Sequence, residues 1–399
     1  MRLLFVADGR SATTLSWLRH WVESGHEAHL VSTFPCDPPP GLASFHILPV
    51  AFGGMGGPAP NSAAPARKGG LVRRFRALLR RLRYLLGPLS LPPHQRRFRA
   101  LVDEIQPDLI HALRIPFEGM LAVVTPPQVP LIVSIWGNDL TLHARGSFLM
   151  ASQTRRVLRR ADGLLADANR DIRLGREWGF SSQKPTLVVP GAGGIRLEET
   201  GAGSRSAALL EELPDGPIVV NPRGQRPGSL RQDVFFQSIP RVLEKFPGAL
   251  FVCPWLAGDA EAERWVAGLG IGANTKLWPH LGQAQLWGLF KKAQVFVSPS
   301  VHDGTPNSLL EAMACGCFPV VGNIESMQEW IQNGVNGLLV DAASPRALAE
   351  GMIAALENPA LRNAAKNKNA HLIVERAEYG RCMAKAEAFY KKMISPEGE

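Results

Sequence analysis

Cysteine is scarce and odd in number, five in 399 residues. Cys36, Cys253, Cys315, Cys317 and Cys382 form neither the dense framework of a disulfide-stapled fold nor a paired CxxC zinc spacing. They are expected to be reduced, buried and apolar in behaviour. Long hydrophobic runs are also missing: none approaches the ~18 residues that a membrane-spanning helix needs. The opening Met1-Arg2 followed by Leu3 to Ala7 is too short an apolar stretch for a signal peptide, and no small-residue cleavage site follows it. The chain is expected to stay in the cytoplasm. There is no Gly-x-Gly-x-x-Gly, no Gly-x4-Gly-Lys-Ser/Thr, no His-Glu-x-x-His and no Gly-x-Ser-x-Gly, which removes the common dinucleotide, P-loop, zinc-protease and serine-hydrolase signatures. No Asp-x-Asp occurs either, and His26 and His29 read as structural residues, so no metal site is expected.

Acidic residues are absent from one long stretch. Between Arg67 and Arg99 stand eleven basic residues and no acid, while the rest of the chain carries 33 basic against 35 acidic residues. One segment therefore accounts for the net charge of +9. Within it Leu71, Val72, Phe75, Leu78, Leu79, Leu82, Leu85 and Leu86 recur at helical spacing and arginines fill the other positions, predicting a basic amphipathic helix over 71–86. Such a helix fits a solvated surface face, an anionic membrane surface or, least well, nucleic acid.

What is present in quantity is alternation. A strand at Leu3 to Ala7, a loop at Asp8-Gly9-Arg10-Ser11, a periodic Leu15 to Val22 segment and a strand at His29 to Val31 make a βαβ unit, hence a parallel sheet. Further strands are expected near Phe45 to Leu48 and at Leu109 to His111, Leu131 to Ile135, Gly163 to Ala166 and Thr186 to Val189. A Gly/Pro/Ala-rich loop over Phe52 to Ala66 interrupts them. After a Gly-, Ser-, Ala- and Glu-rich connection the pattern resumes, with strands at Ile218 to Val220, Ala249 to Cys253, Thr275 to Leu277, Val295 to Val297, Pro319 to Val321 and Gly337 to Val340. Two doubly wound α/β domains follow, facing across a cleft, because ligands of such sheets bind beyond the carboxyl ends of the strands. The expected division is a first domain over 1–200, a linker over 201–216, a second domain over 217–378 and a closing helix over 379–399 that packs back on the first domain.

The most informative stretch runs from Ser298 to Ile331. A strand ends at Val297, a tight Asp303-Gly304-Thr305-Pro306 loop follows, and a helix begins near Asn307 or Ser308 and stops at Gly316. Backbone N–H groups and the positive end of the helix dipole make a site for phosphate or sugar oxygens. Asp303 and Glu311 are eight residues apart, one on the loop and one on the helix, so both carboxylates can serve a single extended ligand. An ionised carboxylate accepts two hydrogen bonds from a vicinal diol. At the end of another buried strand, Trp136-Gly137-Asn138-Asp139 sets polar residues at the functional edge of the first sheet; Asp139 fits either a ligand contact or a helix cap. Gly9 permits close backbone approach to a phosphate or simply makes a turn.

The loop and helix resemble the acid-x7-Glu motif of the retaining glycosyltransferases of family 4, whose GT-B fold sets two Rossmann-like domains around a nucleotide-sugar site. The likeness extends to Ile135 to Asp139, Pro190 to Ile195, the Arg223 region, Asn336 to Val340 and the closing Ala388-Phe389-Tyr390. Family members usually have Glu where Asp303 stands, and many have His where Trp136 stands. The resemblance implies that Glu311 holds the donor ribose, and that Asp303 with Gly304, Thr305 and Pro306, leading into Asn307 and Ser308, holds the donor sugar. Arg223 matches the family's diphosphate-binding Arg. No Lys follows at the usual spacing, and Arg231 is taken as the second cation ahead of Arg226; an Arg fork suits diphosphate as well as Lys does. Trp136, Asn138 and Asp139 fall on the acceptor side and Gly9 on the donor side. Asp303, Arg223, Arg231 and Asp139 are the expected catalytic set.

The implied activity is transfer of a sugar, with retention, from a nucleotide diphosphate sugar to a lipid-linked or polysaccharide acceptor of the cell envelope, with no cofactor and no nucleic acid. The enzyme is expected to be peripheral on the inner face of the cell membrane through residues 67–99. Another GT-B catalyst such as a nucleotide-sugar epimerase, or a non-catalytic membrane-associated binder of sugar nucleotides, would share most of these residues.

Overall fold

A computed structural model describes residues 1–51, 53, 76–202, 208–211, 213–214 and 216–395. Of the amphipathic segment, Arg67, Lys68 and residues 71–75 lie outside the described residues. The chain divides into two compact units, one of residues 1–193 with 383–399 and one of residues 194–382.

In the first unit seven strands form a wholly parallel sheet: β1 Arg2–Ala7, β2 Glu27–Ser32, β3 Ser44–Ile47, β4 Leu109–Ala112, β5 Leu131–Ile135, β6 Gly163–Ala166 and β7 Thr186–Val188, in the order β3-β2-β1-β4-β5-β6-β7. The central strands are buried on both faces, from Leu3 through Val6 and from Leu131 through Ile135, which is why they read as unbroken apolar runs. The order reverses between β1 and β4, and at such a switch point the loops splay apart and leave room for a ligand. Here those loops carry Asp8 to Ser11 and Leu113 to Ile115.

The Tyr379–Ile394 helix contributes its last turns to this unit. Trp17 Nε1 donates to the Tyr390 hydroxyl over 3.1 Å, and the Tyr390 ring stacks on Trp21 at 4.2 Å and 5°. Tyr390 in turn hydrogen-bonds His111 Nδ1, whose other ring nitrogen meets Ser134 Oγ at 2.8 Å. Burial pushes the His111 pKa down to about 3, so the imidazole is neutral and has one donor and one acceptor to place. This chain of polar groups satisfies four side chains that the core would otherwise leave unpaired.

The second unit has six parallel strands, β8 Ile218–Val220, β9 Leu250–Cys253, β10 Thr275–Leu277, β11 Val295–Ser298, β12 Phe318–Gly322 and β13 Leu338–Val340, in the order β10-β9-β8-β11-β12-β13. Its switch point lies between β8 and β11. The chain joins this unit earlier than the composition change at Glu198 indicates. Ile195 donates its N–H to the Ala377 carbonyl at 2.7 Å, and its own carbonyl accepts from Tyr379 at 3.0 Å. Two backbone hydrogen bonds thus tie residue 195 to the second unit. All five cysteines are free, four of them buried.

Candidate donor and acceptor sites

The second unit gathers most of the expected site at the carboxyl ends of β8 and β11. After β11 the chain turns through Pro299 to Pro306 and enters the Asn307–Ala314 helix, with Pro306 as its N-cap residue. The helix stops because Gly316, at φ +80°, lets the Cys317 N–H reach the Ala312 carbonyl at 2.9 Å and its own N–H reach Met313 at 3.1 Å. That stop gives a short rigid helix whose N-terminus faces the Asp303 loop. Ser326 Oγ donates to the Asp303 carbonyl at 2.8 Å, and Trp330 Nε1 donates to Thr305 Oγ1 at 2.8 Å, so the loop is braced at two points.

Asp303 and Arg223 are joined directly as an ion pair, the Arg223 side chain 8% exposed and that of Asp303 17%. Ser300 Oγ donates to Asp303 at 3.2 Å and lies 3.4 Å from the Arg223 guanidinium. The Arg223 loop is fixed from below, since Asn221 Nδ2 donates to Gln232 Oε1 at 2.6 Å and Gln232 Nε2 donates to the Gly224 carbonyl at 2.6 Å. Two residues assigned to different parts of a donor by resemblance thus form one electrostatic unit, with Asp303 orienting Arg223.

Glu311 sits in the second turn of the helix, 8% exposed. Gln283 Nε2 donates to it at 3.0 Å, and burial pushes its carboxyl up to about 7. A carboxyl kept from water with one amide donor gains from any further donor that arrives with the ligand. Arg231 and Arg226 are placed less decisively. Arg231 is half-exposed and forks onto Asp233 at 2.7 and 2.9 Å, while Arg226 is exposed and donates Nε to the Arg223 carbonyl at 3.3 Å.

Sequence reasoning missed Gln283, whose only signal was its place at the start of the Gln283–Lys292 helix. It also missed Trp255. This aromatic residue is 43% exposed at φ +72°, a conformation costly for a bulky side chain, and it stands over Gly224 and 4.4 Å from the His280 ring.

In the first unit Trp136, Asn138 and Asp139 cluster at the end of β5. Asp139 was expected either to touch a ligand or to cap a helix, and its full burial decides against the contact. Its carboxylate accepts from Arg114 Nε at 2.7 Å and from the Trp136 and Ile115 N–H groups at 3.2 and 3.3 Å, and burial holds it above the usual carboxylate range. Its work is to hold Arg114, which also donates to Asn138 Oδ1 at 2.7 Å and lies 5.5 Å from the Trp136 ring. Gly9 is needed for packing. A Cβ there would come within 2.6 Å of Cys36 Sγ and 3.0 Å of Ser32 Oγ. Among the described residues no cluster of His, Cys, Asp or Glu could hold a metal ion.

Residues 8–191 match the model of the glycosyl transferase 4-like domain, and residues 231–371 match that of the glycosyl transferases group 1. The fold is GT-B, of the family-4 type. Among solved structures, Anabaena HepE in complex with UDP matches this GT-B chain with a TM-score of 0.72 at 13% identity, covering 98% of this chain and all of the other. Sucrose-phosphate synthase from Thermosynechococcus elongatus matches with a TM-score of 0.74 at 15% identity over the whole of both chains. A D-inositol 3-phosphate glycosyltransferase of Thermobifida fusca is 26% identical over 214 residues, 51% of this chain and 49% of that one. An N,N'-diacetylbacillosaminyl-diphospho-undecaprenol alpha-1,3-N-acetylgalactosaminyltransferase of Campylobacter jejuni is 40% identical over 80 residues, 20% of this chain and 21% of that one. The alignment spans about half the length of the first of these curated relatives.

Proposed function

We propose that the protein is a retaining glycosyltransferase that takes a sugar from a nucleotide diphosphate sugar and passes it to a lipid-linked or polysaccharide acceptor of the cell envelope. The observation that carries this reading is the Arg223–Asp303 pair at the switch point of the second sheet, on a loop that leads through Gly304 to Pro306 into the helix carrying the buried Glu311. Glu311 takes the ribose diol, Arg223 the diphosphate, and the Asp303 loop the sugar, with Trp255 and His280 on the base side. Arg231 supplies the second cation, with Arg226 as its rival. As the bond from the anomeric carbon to the diphosphate oxygen breaks, the acceptor oxygen bonds to that carbon on the same face. Its proton passes to the departing diphosphate. The chain's contribution is fixed charge: Arg223, held in place before the reaction by Asp303 and Ser300, stabilises the negative charge that develops on the leaving group.

A panel of nucleotide sugars and nucleoside diphosphates tests the donor assignment by thermal shift, because a ligand of the folded state raises the melting temperature as RT ln(1 + [L]/Kd). One base is expected to stabilise the protein both with and without its sugar. Failure of every member of the panel would remove the donor site.

The same reading places the basic segment against an anionic membrane. On the Arg76–Leu86 helix and the turn after it, Leu82, Leu85, Leu86 and Leu89 are exposed, and the neighbouring Phe148 is 83% exposed. Ser147, the residue before it, donates its hydroxyl to the Tyr84 carbonyl at 2.7 Å, which ties the two tips together. Exposed Arg81, Arg96, Arg97 and Arg145 belong to the same segments. Apolar side chains rimmed by cations suit a surface of acyl chains and anionic head groups. Co-sedimentation is expected with phosphatidylglycerol vesicles but not with phosphatidylcholine vesicles. Raising salt, or replacing Leu85 and Phe148 with Ser, should weaken it. Equal, negligible binding to both vesicle types would contradict the docking. Among the described residues no helix is long and apolar enough to cross a membrane.

A further inference from the structure

We propose that the carboxyl ends of β1, β2 and β4 in the first unit form a subsite for a phosphate group carried by the acceptor, read chiefly by Arg83 with Arg10 and Arg114 beside it. This rests on the transferase reading above, in which the first unit faces the acceptor.

The observation that leads to it is a half-buried arginine whose Nε has no hydrogen-bond partner. Arg83 projects from the basic helix into the unit, whereas Leu82, Leu85 and Leu86 on the same helix are exposed. Its Nε is out of contact with solvent and has no hydrogen-bond partner. Among the described residues it makes no ion pair. Its guanidinium lies over two aromatic rings instead, 4.6 Å from the centroid of Phe117 and 5.4 Å from that of Phe34. Burial pulls the Arg83 pKa below its ordinary value. The protein bears the cost of holding a partly desolvated cation here, and the aromatic faces offset it only in part.

Two more guanidinium groups border the spot. Arg10, from the loop after β1, stands over the same Phe34 ring at 3.8 Å and is clamped by both oxygens of Asp8 at 2.9 Å. Arg114, after β4, is clamped by Asp139 at 2.7 Å. These two are anchored, with their directions set by carboxylates. The acid that most favours the Arg83 charge is Glu118, which is buried, accepts from Thr33 Oγ1 at 2.8 Å and is pushed by burial up to about 7. Burial thus weakens Glu118 as a counterion for Arg83. The turn that places it holds Phe117 at φ +68°, a strained conformation for a non-glycine residue and one that surrounding structure must enforce. Two oriented arginines and one whose Nε is unpartnered, on an aromatic floor at a sheet's switch point, offer planar forks to a phosphate group. The exposed leucines on the Arg83 helix allow that phosphate to be part of a lipid.

The test uses the full chain with its donor site filled by whichever of UDP or GDP stabilises it. Inorganic phosphate is then titrated calorimetrically into wild type, Arg83→Met and Arg83→Lys. Methionine keeps an apolar stem between the rings and removes the charge. Phosphate is expected to bind wild type at least tenfold more tightly than Arg83→Met. Arg83→Lys should be intermediate, and all three should bind the nucleoside diphosphate equally. Competition by phosphatidylglycerol vesicles would mark the source as a lipid head group, and competition by a soluble sugar phosphate alone would mark it as a free ester; the subsite stands in both cases. Equal phosphate affinity in wild type and Arg83→Met, or phosphate that binds only when the nucleotide is omitted, would overturn it. A protein that binds phosphate through Arg83 but neither UDP nor GDP would sink the transferase reading and leave an anion site of other purpose.

Discussion

Replacing Glu311 with glutamine is expected to weaken nucleoside diphosphate binding by about 1.5–3 kcal/mol, the range for hydrogen bonds to a charged group, and to abolish most of its pH dependence. In the wild type the buried carboxyl titrates at about 7. One unit lower, at pH 6, only about a tenth of it is ionised and able to accept both ribose hydroxyls. Affinity should therefore rise from pH 6 to pH 8, with release of a proton on binding, over and above the ionisation of the ligand's own phosphate. Calorimetry in two buffers of different ionisation enthalpy, run on wild type and Glu311→Gln, isolates the part that belongs to Glu311. The sign for stability is opposite. The folded carboxyl holds its proton more tightly than the unfolded one, whose value is 4.5, so the free protein loses stability as pH rises from there through about 7. Glu311→Gln should flatten that slope while binding nucleotide poorly. A variant with wild-type affinity and wild-type pH dependence would remove Glu311 from the site.

The second large effect is expected at Arg223. Removing a cation that pairs with diphosphate in a water-poor site costs about 2–5 kcal/mol of binding, and Arg223→Met should lose that much affinity for the nucleoside diphosphate itself, independent of the sugar. The same change strips Asp303 of its cation and leaves it the Ser300 hydroxyl and the Gly304 N–H. Stability should fall by about 1–3 kcal/mol, the cost of a partly buried carboxylate left without its cation while it still meets some solvent. The double variant Arg223→Met, Asp303→Asn separates the two losses. It is expected to recover most of the stability in urea unfolding and none of the nucleotide affinity. Recovery of both, or loss of neither in the single variant, would show that the pair serves the fold alone.

The two sheets were legible because parallel strands buried on both faces must be apolar throughout, and runs such as Leu3 to Ala7 and Leu131 to Ile135 admit no other reading. The Asp303 loop and the helix after it were legible for a local reason: a Pro-led N-terminus and a Gly316 stop are written in consecutive residues. What could not be read were contacts made at long range. Nothing adjacent to Glu311 announces Gln283, 28 residues earlier. Nothing near Arg223 announces that its charge is matched by Asp303, 80 residues later. Asp139 looked like a ligand contact or a cap because both call for a short acid at a strand end. Only its burial shows that it holds Arg114 in place. Arg83 was one arginine among eleven in a basic segment, and its inward direction follows from the packing of Phe34 and Phe117.

The measurement closest to the central claim is release of nucleoside diphosphate from a panel of nucleotide sugars, with and without lipid extract as acceptor, followed by nuclear magnetic resonance of the first-formed sugar product. Wild type is expected to release nucleoside diphosphate from one donor, faster with acceptor, and to keep the anomeric configuration of that donor. Glu311→Gln and Arg223→Met should release little. A protein that binds the nucleotide sugar and returns it intact under every condition, or whose product has the inverted configuration, would contradict the account.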